Sequence, residues 1–357
     1  MTASTSVAPV RSVDRGATIA ALRAGRRRRS RRYAVAVAVL TLILFVAFLA
    51  SLILGQRHYP LGDVLRVIGG QDVPGASYTV GRLRLPRAAL AVLAGAAFGL
   101  GGVSFQTMLR NPLASPDIIG ITSGASAAAV YALVILHLDP SAASVIAIVA
   151  ALGTALAIYG LAARGGLHGT KLILIGIGVS AMLHSVVSYV IIRAAQWDLQ
   201  TAMRWLNGSV NGATWSRVLP LAMAMVAIIP ILLSRTRALT LLEQGDDTAT
   251  ALGVRTGRTR LLTIVGTVVL LAFATAAAGP IAFVAFLSGP IASRLVGTGR
   301  SLMVPAMLVG ASLTLLADFA GQFAFGARYP VGVITGVLGA PYLVYLLIRT
   351  NRTGGSL

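Results

Sequence analysis

Three of the few carboxylates in this sequence lie together in a polar segment between two apolar stretches. The segment, residues 239–254, contains Glu243, the only glutamate in the chain, followed by Asp246 and Asp247. Arginines flank it on both sides, and basic residues beside apolar spans mark the cytoplasmic side of a membrane protein. Gly245 divides it into two apolar–polar pieces, which predicts two short helices that engage another protein. The alternative is an ordinary solvated loop between membrane helices.

The remaining residues offer no pattern that favours catalysis or metal binding. The four histidines are scattered, cysteine is absent, and no paired carboxylates or nucleophile–base arrangement occurs. We therefore expect no catalytic residue, no cofactor and no metal site. The sequence also contains no G-x-x-x-x-G-K-[ST] motif, so the chain cannot build a P-loop for ATP. Any energy source must then be a partner protein or an ion gradient.

Asp318 and His184 are the main ionisable residues inside apolar stretches, where charged side chains are costly. One interpretation is a proton relay in a secondary carrier that is driven by an ion gradient. The other is a structural role, such as an ion pair, and Arg328 follows Asp318 closely in the sequence. No series of acidic residues crosses the apolar stretches, which favours the structural role for Asp318.

Composition places these residues in a membrane protein. Of the 357 residues, 56% are hydrophobic and only 11% are charged, whereas soluble domains average about a quarter charged. The net charge of +20 comes from arginines between apolar runs, where the positive-inside rule explains most of them, so we expect no nucleic-acid partner. The apolar runs predict an all-α, polytopic membrane protein of about ten transmembrane helices, because helix bundles satisfy the backbone in lipid.

The chain divides into three parts. Residues 1–32 form a basic cytoplasmic tail that we expect to be disordered, residues 33–350 form the transmembrane domain, and residues 351–357 form a second cytoplasmic tail. The predicted spans cover residues 33–54, 86–109, 117–138, 141–163, 170–192, 217–233, 261–278, 281–297, 302–323 and 329–348. Glycines at positions 95, 99, 101 and 102 predict close helix packing within the second span.

The segment between the first two spans is basic although it should lie outside the cell membrane. Residues 55–85 include Arg57, Arg66, Arg82 and Arg84, and Arg87 follows at the start of the next span. The positive-inside rule disfavours this placement. Either these side chains reach lipid phosphates at the interface, or an anionic partner docks from outside.

Five local sequences together resemble one known family. They are RLPR (84–87), RNPLASPDIIGITSGAS (110–126), LTLLEQGDDTATALGV (239–254), GPIAFVAF (279–286) and YPVGVITGVLGAPYLVYLL (329–347). In this order they closely resemble the FecCD-type permeases, the membrane subunits of type II ABC importers for iron-siderophores, haem and vitamin B12. The resemblance covers about residues 34–350. One departure is LSGPIAS at 287–293, where many members read VVPHIAR, so the family's histidine is missing.

The resemblance implies a type II ABC importer permease fold and a role in ATP-driven import of a ferric siderophore. Two permease subunits would form the translocation path between them in the bacterial inner membrane, with both termini of each in the cytoplasm. Two ATPase subunits would bind from the cytoplasm, and an extracytoplasmic substrate-binding protein would dock outside. The resemblance leaves open whether the second permease is a copy of this chain, and whether the cargo is instead cobalamin or haem.

The resemblance also assigns roles to individual residues. Residues 239–254 match the coupling helices that fit a groove of the ATPase; the implied coupling residues are Leu242, Glu243, Gly245, Asp246, Asp247, Leu252 and Gly253. Outside, Arg84 and Arg87 match arginines that bind carboxylates of the docked binding protein, and Arg328 is a looser third. The implied cytoplasmic gate comprises Asn111 and Leu113, with His168 and Thr170 as a second part.

Overall fold

The computed structural model describes residues 15–163, 169–297 and 299–352. Over these ranges the chain forms α-helices, a π-helical segment (Ser77–Arg84) and a 3-10 turn (Pro116–Ile119), and no strand. The α-helices are α1 (Arg15–Ile53), α2 (Leu61–Ile68), α3 (Leu85–Leu109), α4 (Ile121–Val134), α5 (Pro140–Ala163), α6 (Gly169–Arg193), α7 (Gln196–Leu206), α8 (Trp215–Ser234), α9 (Thr236–Leu242), α10 (Asp246–Ala251), α11 (Thr256–Ala278), α12 (Val284–Val296), α13 (Met303–Phe323) and α14 (Val331–Arg352). The predicted all-α fold is confirmed.

Apolar helices occupy all ten predicted spans. Within the described residues, seven helices are long and apolar enough to cross a membrane. The apolar stretches of α4, α12 and α14 are shorter. The predicted third span is too long, because α4 has only 14 residues, about 21 Å, and a 3-10 turn precedes it. Nearly all of α4 is buried. Protein rather than lipid surrounds this helix, so the thickness of the bilayer does not set its length.

The first helix begins well before the first predicted span. It starts at Arg15 and continues without a break to Ile53. The expectation of disorder is therefore wrong for residues 15–32, while residues 1–14 and 353–357 lie outside the described part of the chain. Arginine is a good helix former, and the apolar helix that follows provides a nucleus from which the basic stretch extends.

The centre of the bundle is α3, and glycines bring its neighbours into backbone contact. A Cβ atom added at Gly95 would lie 2.4 Å from the carbonyl oxygen of Gly310 in α13. At Gly99 the added atom would meet the carbonyl oxygen of Ala306 at 2.2 Å, and at Gly102 it would collide with α12. The predicted role of these glycines in close packing is thus confirmed, and α3, α12 and α13 pack together through backbone contacts.

The segments predicted to lie outside the membrane contain helices. In α2, Asp63 lies in the first turn and Arg66 in the last, the placement that the helix dipole favours, and the two side chains pair at 3.0 Å. Further along, α7 carries Trp197 with 80% of its surface exposed.

Candidate functional site

The polar segment that contains Glu243 folds as two short helices around a glycine. Helix α9 ends at Leu242, α10 begins at Asp246, and Gly245 between them has φ 117°. Residues with a side chain rarely adopt this backbone conformation, so the turn requires glycine. Leu239, Leu242 and Ala249 are buried and fix the pair against the bundle. The predicted pair of helices is confirmed, whereas Leu242 cannot itself contact a partner because its side chain is fully buried.

Asp246 joins this helix pair to two membrane helices. Its carboxylate forms ion pairs with Arg110 and with Arg260, the latter at 2.9 Å. Arg110 caps the C-terminus of α3 in the left-handed conformation, with φ 54°, and Arg260 lies near the start of α11. The carboxylate was predicted to contact a partner protein, but within the chain it already bridges α10 to the ends of α3 and α11.

Glu243 also contacts the end of α3, through a hydrogen bond from the Thr107 hydroxyl to its carboxylate. Although the residue is exposed, neighbouring helix ends desolvate the carboxyl group and raise its pKa. Its charge is therefore easier to neutralise than that of a free glutamate. The surface left for a partner comprises Glu243, Asp247, Gly253 and Leu252, whose apolar side chain is 61% exposed.

The predicted gate lies at the same end of α3. The side chain of Asn111 accepts a hydrogen bond from the backbone N–H of Leu113 at 2.8 Å, which fixes the turn after the helix. Leu113 lines a cavity, whereas Asn111 stabilises the backbone beside it. His168 lies outside the described residues; Thr170 belongs to the first turn of α6, and its side chain lies outside the described part.

A cavity of about 540 Å³ extends above Leu113 between α4, α6, α12 and α14. Its polar lining includes Asp117, whose carboxylate accepts a hydrogen bond from Ser115 at 3.2 Å, together with Ser123 and His184. Phe283 and Phe286 provide an apolar wall at the start of α12. Among the described residues, no group of three or more His, Cys, Asp or Glu side chains could hold a metal ion.

The opposite end of α3 is basic, and Arg84 there stabilises the end of α1. Its guanidinium donates hydrogen bonds to the carbonyl oxygens of Leu52, Ile53 and Arg57 at 2.7–3.0 Å. Carbonyl groups at a helix C-terminus have no partner within the helix; Arg84 satisfies that of Leu52 and adds to the bond that the Ile53 carbonyl accepts from the backbone N–H of Tyr59. It also lies 5.2 Å from the centre of the Tyr59 ring.

Arg87 forms an ion pair with Asp318, the carboxylate that the sequence placed within an apolar span. The Nε and Nη2 atoms of Arg87 donate to the two carboxylate oxygens at 3.0 and 2.8 Å, and Nη1 donates to Asn211. Gln322 donates to the same carboxylate at 2.9 Å. The side chains of Asp318 and Arg87 are only 6% and 17% exposed. The ion pair that the structural interpretation of Asp318 expected is present, but its partner is Arg87 rather than Arg328.

Arg57, Arg82 and Arg328 are exposed cations at this end. None of their guanidinium groups has an ion-pair or hydrogen-bond partner among the described residues, and two of them, Arg57 and Arg328, line a second cavity of about 560 Å³ with Arg84 and Arg87. The docking role of Arg84 and Arg87 stays a prediction, and both already have partners within the chain. The sequence placed Arg57 and Arg82 among the basic residues outside the membrane, with docking as one of two interpretations; the resemblance assigned the docking role only to Arg84, Arg87 and Arg328, and the exposure of Arg57 and Arg82 adds them to these candidates.

The distance between the two ends fits a membrane. Between Arg87 and Arg110, α3 rises about 35 Å at 1.5 Å per residue, somewhat more than the roughly 30 Å of a hydrocarbon core. The basic cluster with Asp318 and the helix pair with Asp246 therefore lie on opposite sides, joined by the most buried of the long helices.

Comparison with known proteins gives concordant matches. The model of the FecCD transport family matches residues 43–349. The ferric enterobactin transport system permease protein FepG of Escherichia coli (strain K12) is 39% identical over 324 residues, covering 90% of this chain and 98% of that protein. The achromobactin transport system permease protein CbrC of Dickeya dadantii (strain 3937) is 37% identical, covering 88% of this chain and 92% of that protein.

A solved structure is similar over the same extent. It is described as an inward-facing conformation of a metal-chelate type ABC transporter, and it has 29% sequence identity and a TM-score of 0.79. The match covers 88% of this chain and 98% of that one. The family model, the curated relatives and the solved structure all match nearly the whole membrane domain, and this chain belongs to the FecCD transport family.

Proposed function

We propose that this chain is the membrane permease subunit of an ABC importer that carries a ferric siderophore into the cytoplasm. The observation that carries the proposal is the helix pair around Gly245, which the end of α3 holds opposite the basic outer cluster. Names of similar proteins support the cargo, since FepG is named for ferric enterobactin and CbrC for achromobactin. The permease is not itself an enzyme, and ATP hydrolysis belongs to the partner ATPase.

On the cytoplasmic side, each of two ATPase subunits receives one helix pair. Leu252 provides the exposed apolar contact, while Glu243 and Asp247 provide charge at its rim. Asp246 acts differently, because its two ion pairs fix α10 to α3 and α11. Movement of the ATPase then reaches the membrane helices through Asp246, and both chain termini lie on this side.

On the outer side, an acidic face of the substrate-binding protein docks against the basic cluster. Arg328, Arg57 and Arg82 are exposed and available for carboxylates. Arg84 and Arg87 organise the surface beneath them by fixing the ends of α1 and α13. Such rim charges mainly set the association rate and its dependence on salt.

Cargo passes the cavity above Leu113, which a second permease subunit completes. This half of the path combines small residues and hydroxyl groups with the rings of Phe283 and Phe286. Weak contacts of this kind let a large chelate leave again, and the iron stays within its chelator. A secondary carrier that uses Asp318 as a proton relay has less support, because Arg87 and Gln322 hold that carboxylate.

Binding of the ATPase to variants of Leu252 tests this proposal. We expect Leu252→Asp to abolish copurification of the ATPase, because it places a charge in an apolar contact. The matched control is Leu65→Asp on the outer helix α2, where the leucine is 54% exposed; it should leave copurification unchanged. Equal ATPase binding by wild type and Leu252→Asp would contradict the coupling assignment.

A further inference from the structure

The cytoplasmic extension of α1 is a basic surface that the proposed function does not use. Its arginines at positions 26–29, 31 and 32 are all exposed. The family model matches only from residue 43, and the alignment with FepG covers 98% of that protein without using all of this chain. The basic turns therefore lie outside the part of the chain that defines the family.

The base of this extension is fixed next to the membrane-spanning part. Arg32 donates hydrogen bonds to the carbonyl oxygens of Leu295 and Arg294 at 3.0 and 2.8 Å, which satisfies the end of α12. Arg300 lies 5.5 Å from the centre of the Tyr33 ring. These contacts hold α1 at the point where its apolar part begins. The arginines that precede this point therefore lie at a defined height relative to the membrane-spanning part of the helix.

That height corresponds to the lipid headgroups. Arg26 precedes Tyr33 by seven residues, which is about 10 Å along a helix. The Debye length at physiological salt is about 8 Å, so charges in these two turns act directly on the membrane surface. Anionic lipids give the cytoplasmic leaflet a negative potential that attracts basic segments beside a membrane helix.

Within the part of the chain that the structure describes, no carboxylate neutralises these arginines. The sequence contains no Asp or Glu between Asp14 and Asp63. Among the described residues, none of the six guanidinium groups pairs with a carboxylate. Arg294 and Arg300 add further positive charge at the base. The cluster is therefore open to an anionic partner from outside the chain.

The distribution of the arginines around the helix indicates which partner this is. At 100° per residue, the arginines at 26–29, 31 and 32 surround the helix and leave no gap wider than about 100°. A partner protein would contact one face of the helix, whereas a layer of headgroups surrounds a helix that leaves the bilayer. We propose that the extension of α1 is a binding site for the headgroups of anionic phospholipids in the cytoplasmic leaflet.

The test measures which lipids gather around this extension in the full-length protein. Ala21→Cys introduces a unique thiol, because the chain contains no cysteine, and an acceptor dye attached there reports energy transfer from fluorescent lipid. Nanodiscs of phosphatidylcholine and phosphatidylglycerol carry a trace of either lipid in fluorescent form. The variant replaces the arginines at 26–29 with glutamine and keeps Arg31 and Arg32; its control replaces the same four with lysine.

We expect the wild type and the lysine control to prefer phosphatidylglycerol over phosphatidylcholine at the dye by at least about fivefold, since even one such cation contributes about that factor. The preference should fall several-fold in the glutamine variant, which keeps Arg31 and Arg32, and it should disappear for the wild type at about 1 M salt, where charges are screened within a few ångströms. The measurement at high salt uses the wild-type arginines, so it does not depend on whether a variant folds.

Two results would overturn the proposal. One is a wild type without preference for phosphatidylglycerol. The other is a glutamine variant whose preference is as large as that of the wild type; if this variant also no longer binds the ATPase in discs of phosphatidylcholine alone, the basic surface belongs to a protein interface. Neither result bears on the coupling role of Leu252, so this proposal and the proposed function fail separately.

Discussion

Replacing Asp318 with asparagine removes the carboxylate that neutralises Arg87 at the outer end of α3. Both side chains are largely buried, and the carboxylate accepts hydrogen bonds from the Nε and Nη2 atoms of Arg87 and from Gln322. Removing one partner of a buried ion pair costs about 3–5 kcal/mol, because the other charge stays buried. Arg87 keeps its hydrogen bond to Asn211 and some exposure, so we expect about 3 kcal/mol.

The assay is thermal unfolding of the purified protein in detergent. A loss of about 3 kcal/mol should lower the unfolding temperature by about 5 °C or more in a chain of this size. The matched control is Asp63→Asn, which breaks the exposed pair with Arg66 on α2. An exposed pair contributes about 0–1 kcal/mol, so the control should unfold close to the wild-type temperature.

A double variant distinguishes the cost of leaving Arg87 buried without a partner from the cost of losing the contact itself. Replacing both members, as Arg87→Met with Asp318→Leu, leaves no unpaired charge, and such replacements are often nearly neutral. The double variant should therefore be more stable than Asp318→Asn. The reasoning is refuted if Asp318→Asn unfolds at the wild-type temperature, or if the double variant is no more stable than the single one.

Three further substitutions have definite expected outcomes. Gly245→Val should let the ATPase bind but uncouple its hydrolysis from transport, because valine is strained at φ 117°; transport at the wild-type rate in proteoliposomes would contradict this. Gly102→Val should separate α3 from α12 and reduce the yield of folded protein. Gly153→Ala should leave the yield unchanged, because the space around the added Cβ is open. Equal yields of the two variants would refute the packing argument. Asp246→Asn should weaken coupling more than Asp247→Asn, because Asp246, unlike Asp247, bridges α10 to α3 and α11. The ratio of transport to ATP hydrolysis measures the coupling. Equal ratios for the two variants would be evidence against the bridge.

Local chemistry explains which features could be predicted from the sequence. The turn at Gly245 was predictable because a single glycine between two apolar–polar pieces favours a break, and the glycines of α3 were predictable because small residues permit close packing in lipid. The burial of Leu242 could not be predicted, because a helix of seven residues is too short for its sequence pattern to define a buried face.

Contacts between distant segments explain most of the remaining differences. Arg87 and Asp318 are 231 positions apart, and no periodicity within either span indicates that they meet. The nearer Arg328 was the natural candidate from the sequence, but α3 and α13 meet through glycines and bring Arg87 to the carboxylate. The helix over residues 15–32 was missed because its composition is typical of disorder, whereas continuity with an apolar helix stabilises it.

Uptake by proteoliposomes tests the central claim most directly. The permease would be reconstituted with its ATPase and supplied with the binding protein and a radiolabelled ferric siderophore outside. We expect uptake that requires ATP on the ATPase side and continues at an unchanged rate when ionophores collapse the proton and sodium gradients. Uptake that follows an imposed ion gradient without ATP would contradict the assignment of this chain as the permease of an ATP-driven importer.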